Sequence, residues 1–118
     1  MDALKLLTER YSEKKLSAPA PNKQQLTQIF QAALRAPDHG KLQPYRFIVI
    51  EQEQMTEFSS LLKSAVHELN LGEERLKKAD DLATRAPMII GVVAKINLCI
   101  KKVPEWEQLL CAGCATYA

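Results

Sequence analysis

Leu34-Arg35-Ala36-Pro37-Asp38-His39-Gly40-Lys41-Leu42-Gln43-Pro44-Tyr45-Arg46-Phe47-Ile48-Val49-Ile50 carries three structural signals in a fixed order. An apolar helical pattern runs into Arg35. Pro37, Gly40 and Pro44 then mark a turn, and the β-branched and aromatic run from Tyr45 to Ile50 predicts a strand. The turn holds Arg35, Asp38, His39, Lys41 and Gln43. A loop this rich in hydrogen-bonding groups, held between two rigid elements, suits a ligand site.

On the N-terminal side, Leu26, Ile29, Phe30, Ala33 and Leu34 recur at helical spacing and predict a helix over 23–35, with Asn22 as its N-cap. Before it, the polar stretch 13–22 contains Pro19 and Pro21 and reads as a loop. Leu4, Leu6, Leu7 and Tyr11 predict a short amphipathic helix over 2–11.

On the C-terminal side, Met55, Phe58, Leu61, Leu62, Ala65, Val66 and Leu69 predict a helix over 55–69, stopped by Asn70 and Gly72. His67 lies outside that apolar set and reads as solvated. A more charged helix follows over 73–83. Met88 to Ala94 is apolar without alternation, so it reads as a strand covered on both faces. Residues 95–103 read as a loop, and Pro104 suits the first turn of a new helix, with Glu105 and Glu107 favourable near its positive end. Trp106, Leu109, Leu110, Gly113, Cys114 and Tyr117 then continue the helical pattern to the last residue as its apolar face. The small residues Ala112, Gly113 and Ala115 permit close helix packing. No stop signal follows, which predicts a domain that is incomplete at Ala118.

The totals exclude several classes. The 118 residues suit one domain, and 47% hydrophobic with 25% charged residues is an ordinary globular composition. The net charge of +2 is spread among mixed acids and bases, without a basic patch interleaved with aromatics, which argues against a nucleic-acid partner. The apolar run from Met88 to Ala94 is far too short to span a bilayer. Asp2, Lys5, Glu9 and Arg10 do not form a secretory signal. Three cysteines make an odd count, which argues against a disulfide framework and for a reducing cytoplasm. Cys111 and Cys114 form a Cys-x-x-Cys pair, but two turns inside a helix and not at its start, where the dipole would lower a thiol pKa. Redox or zinc use of the pair is therefore a weak third reading, and Cys99 reads as a loop thiol.

Arg35-Ala36-Pro37-Asp38-His39 followed by Gln43-Pro44-Tyr45-Arg46-Phe47 resembles the first flavin-binding segment of the FMN-dependent NAD(P)H nitroreductase family. The Ala-Pro-Asp-His form is similar to a subgroup of small members. Arg10-Tyr11-Ser12 resembles the early Arg-Arg-Ser or Arg-His-Ser signature, and the stretch 102–115 also resembles that subgroup. Tyr11 departs from the usual basic residue and would supply no charge. Lys41 stands where many relatives have a small or amide residue, and Gly40 is expected to loosen the turn.

The resemblance implies an α+β nitroreductase-like fold, a central mixed sheet flanked by helices, with the C-terminal part absent. It implies a homodimer with FMN at the subunit interface and the last helix at its centre. Arg10, Tyr11 and Ser12 would take one group of FMN contacts, and Arg35 and His39 the other. The partner chain is an available source for one group. Electrons would pass from NAD(P)H through the flavin to a nitroaromatic or quinone-type acceptor by ping-pong hydride transfer, with no catalytic side chain. An arginine suits the phosphate because its planar fork binds oxygens in pairs while staying charged. The alternative is a catalytically incompetent fragment or a non-enzymatic helical interaction module.

Overall fold

The computed structural model describes residues 2–117. In chain order it contains α1 (Ala3–Glu9), α2 (Lys23–Ala33), β1 (Tyr45–Ile50), α3 (Met55–Glu68), α4 (Glu73–Leu82), β2 (Ile89–Ala94) and α5 (Glu105–Ala115). Short 3-10 turns occupy His39–Lys41 and Gln52–Gln54. The chain is α+β, as expected.

Local chemistry sets the element ends. Asn22 caps α2 in a reciprocal capping box: its side chain accepts from the Gln25 N–H, and the Gln25 side chain accepts from the Asn22 N–H, both at 2.9 Å. α3 ends in a Schellman motif. Asn70 takes the left-handed conformation (φ 52°), Leu71 N–H donates to the Val66 carbonyl, and Asn70 N–H donates to that of His67. Gly72 (φ 86°) then turns the chain into α4, which packs back on α3. α1 starts at Asp2, whose side chain accepts from Leu4 N–H, and it buries no residue.

β1 and β2 pair antiparallel, from Tyr45 opposite Ala94 to Ile50 opposite Ile89. This two-stranded sheet is what the described residues contain of the expected central sheet. β2 is not covered on both faces: it is half-buried along Ile89 to Val92, and Val93 is 44% exposed. Val92 and its partner Phe47 face the core, while Ile48, opposite Gly91, is 51% exposed on the other side. With α5 against one face and only one neighbouring strand, half the apolar run lacks cover.

The core gathers Ala33 from α2, Tyr45 from β1, and Cys111, Ala112 and Ala115 from α5, with Ala36, Phe47 and Val92 packed around them. Phe30 stacks on Phe47 with ring centroids 4.9 Å apart. α5 therefore buries the face opposite to the one its large side chains suggest. Trp106 (63% exposed), Leu110 (61%), Leu109 and Tyr117 point outward, and a Cβ added at Gly113 would meet open space. The reason is distance. α5 sits close to Ala33 and the sheet, and only the small side chains Ala112, Cys111 and Ala115 fit there. The helix also stops at Ala115, with Thr116 as its C-cap and its hydroxyl donating to the Gly113 carbonyl. The helical pattern read through Tyr117 thus overshoots, and Ala118 lies outside the described residues.

Gln108 is 1% exposed and anchors the loop before α5. Its Oε1 accepts from Asn97 N–H (2.8 Å), and its Nε2 donates to the carbonyls of Asn97 and Val103 (both 2.9 Å). One amide side chain thereby satisfies three backbone groups of a segment with no secondary structure of its own.

Candidate functional site

The turn after α2 is rigid. The Asp38 carboxylate accepts from Leu42 N–H at 3.1 Å and Gln43 N–H at 2.8 Å, and its carbonyl accepts from Lys41 N–H. Gly40 (φ 78°), Lys41 (φ 52°) and Gln43 (φ 46°) all adopt left-handed conformations, a strained arrangement for the latter two that local hydrogen bonding supports. A Cβ on Gly40 would lie 3.4 Å from Val103 Cγ2. Glycine suits this position chiefly through its positive φ, and the turn lies against the loop that Gln108 holds. Pro44 is fully buried and its carbonyl accepts from Lys95 N–H, which fixes the exit into β1.

His39 projects from this turn and meets α5. Its Nδ1 lies 2.8 Å from Oε2 of Glu107. Arg35 is exposed at the start of the turn, just past the end of α2, and makes no side-chain hydrogen bond or ion pair among the described residues. Beneath the turn, burial pushes the Tyr45 phenol and the Cys111 thiol up from their ordinary pKa values, and the nearby Asp38 carboxylate adds to both. Cys111 is buried, Cys99 and Cys114 are exposed, and all three cysteines are free. Among the described residues no group of three His, Cys, Asp or Glu side chains could hold a metal ion. No helix among them is long and apolar enough to cross a membrane.

The first expected group lies elsewhere. Arg10 caps α1; its Nη2 donates to the Ser12 hydroxyl at 3.0 Å, and its guanidinium lies 5.2 Å from the centre of the Tyr117 ring. Tyr11 between them is exposed. Arg10 and Ser12 are brought together at the C-terminal end of α5, and His39 is held at its N-terminal end. Glu107 lies in the first turn of α5 and Tyr117 just past its end, so the two groups flank a helix that rises about 12 Å from Glu107 to Ala115.

Sequence reading places Asp38 in the turn and Glu107 in the first turn of the last helix but misses their partners, and it gives Gln108 no role. A signal for Glu107 exists. It is the third residue of α5, where a glutamate ordinarily reaches back to the N-cap N–H. The N-cap here is Pro104, which has no N–H. The carboxylate is left available for another donor.

The family model described as "Nitroreductase family" matches residues 7–115. A Haemophilus influenzae protein named "Putative NAD(P)H nitroreductase" is 67% identical over 117 residues, covering 99% of this chain and 64% of that protein. The Escherichia coli K12 "Putative NAD(P)H nitroreductase YdjA" is 45% identical over 118 residues, covering all of this chain and 64% of its own length. The chain belongs to the nitroreductase family. It spans 64% of the length of each of these relatives.

Proposed function

We propose that this chain forms the FMN-binding part of an oxidoreductase that passes electrons from NAD(P)H to nitroaromatic or quinone-type acceptors. The observation that carries this reading is the 67% identity to the Haemophilus protein across 99% of the chain, a span that includes both candidate groups. The donor chemistry fits FMN. Arg10 and Arg35 are guanidiniums suited to a phosphate or a ring carbonyl, Ser12 offers a hydroxyl, and His39 offers an imidazole nitrogen.

Bound FMN supplies the hydride and electron chemistry. The chain's own residues bind and orient. Arg10 and Ser12 hold the phosphate and the polyol chain, and Tyr11 contributes no charge. Arg35 and His39 act from the rigid turn, with His39 orienting the cofactor and not shuttling a proton. NAD(P)H and the acceptor use one pocket in turn, which gives ping-pong kinetics. The assembly is a cytoplasmic homodimer with the open α5 face of Trp106, Leu109 and Leu110 between subunits. In that assembly each subunit can complete its partner's site, with one group at each end of α5.

The test is an absorbance spectrum of the purified chain after incubation with FMN and gel filtration. A protein peak that keeps the flavin spectrum supports the reading, and assays with NADH and NADPH then follow. A colourless peak overturns cofactor binding by this chain. The second reading, a catalytically incompetent fragment or helical interaction module, is favoured by the open apolar faces of α1 and α5. It predicts the colourless peak.

A further inference from the structure

We infer that Glu107 is the positioning residue of His39: its carboxylate accepts the Nδ1–H, so that whenever the ring is neutral Nε2 is the hydrogen-bond acceptor left for a ligand. The inference rests on the flavin-site reading above and names the contact that His39 makes within it. An ionised carboxylate can only accept, so the nitrogen 2.8 Å from Glu107 Oε2 must carry the proton. In a neutral imidazole the other nitrogen then holds the lone pair. In that neutral form His39 offers its Nε2 lone pair to a ligand hydroxyl or ring N–H.

Both partners are held from behind. The His39 turn is clamped by the two Asp38 bonds and by Gly40 against Val103. The first turn of α5 is clamped by Gln108. Glu107 has no capping duty, because Pro104 lacks the N–H it would serve. The Glu107 side chain is 29% exposed while that of His39 is 61% exposed, so the carboxylate sits inward and the imidazole remains open to a ligand. The pair joins residues 68 apart in sequence, a contact that fixes ring direction and the tautomer of the neutral ring.

The test uses ring-nitrogen NMR of the 118-residue chain at mildly alkaline pH, with exposed His67 as internal reference, and FMN titration of the same samples. In the wild type the His39 ring carries its proton on Nδ1. Glu107→Gln keeps that tautomer, since an amide oxygen also accepts, and keeps FMN affinity within about twofold. Glu107→Ala moves His39 toward the Nε2–H form and weakens FMN binding about fivefold, the scale of one net hydrogen bond. Adding Glu107→Ala to His39→Ala produces no further loss, because Glu107 acts through the ring. Unchanged His39 shifts in Glu107→Ala overturn the inference, as does a changed tautomer with unchanged affinity. An additive loss in the double variant also overturns it. A wild-type chain that binds no FMN overturns the functional reading alone, because its ring shifts still decide whether Glu107 holds the Nδ1–H of His39.

Discussion

Replacing Gln108 with leucine removes three hydrogen bonds at nearly constant side-chain volume. The bonds are to Asn97 N–H, Asn97 C=O and Val103 C=O. At about 1 kcal/mol net for each, the loss is roughly 3 kcal/mol. Two corrections act in opposite directions. The Asn97 groups are only part-buried and regain water, whereas the bond to Val103 is buried and its carbonyl keeps a desolvation cost. The expected destabilisation is therefore about 2–4 kcal/mol, and the fall in Tm is roughly 10 °C for a chain of this size. Urea unfolding followed by far-UV circular dichroism measures it, with an unchanged m-value showing that the effect is on stability. Hydrogen exchange at the Asn97 amide should accelerate by more than that of the β1 amides. A loss under about 1 kcal/mol, below even one typical bond, would refute the role of Gln108 as anchor of the loop. Gln108→Glu should be worse than Gln108→Leu, because it forfeits both donated bonds and buries a charge.

Asp38→Ala removes the acceptors for Leu42 and Gln43 N–H and should cost about 1–3 kcal/mol; amide exchange at those two residues checks it. Gly40→Ala places a Cβ at φ 78°, 3.4 Å from Val103, and should cost about 1–2 kcal/mol in chemical denaturation. Thiol alkylation of the folded chain should modify Cys99 and Cys114 quickly and Cys111 slowly. The lag at Cys111 should persist as pH rises, since burial, and less so Asp38 and Cys114, hold its pKa above the ordinary value. Equal rates at all three would contradict its burial.

The legible parts of the fold were those decided by neighbours in sequence. Tyr45 to Ile50 forms a strand end for end, Asn22 caps α2, and Asn70 with Gly72 stops α3 and opens α4. α5 was read correctly as a helix and incorrectly as to its buried side. Periodicity favours the face with the larger apolar residues, but the depth available against Ala33 selects Ala112, Cys111 and Ala115. For the site, Arg10, Tyr11, Ser12, Arg35 and His39 came from family resemblance. The structure pairs Arg10 with Ser12 and His39 with Glu107. Partners like Glu107 lie beyond local pattern, since only the packed chain brings α5 to the turn.

α1 contributes Arg10 while burying none of its own residues. A seven-residue helix without tertiary cover opens at little free-energy cost. Any ligand that Arg10 and Ser12 grip must therefore also close α1, and its apparent affinity is multiplied by the fraction of time the helix is formed. A surface laid over Leu4, Leu6 and Leu7, all exposed here, would tighten that grip without touching the ligand. Affinity at this site is then set partly by whatever shelters α1, and amide exchange along Ala3–Glu9 reads that sheltering directly.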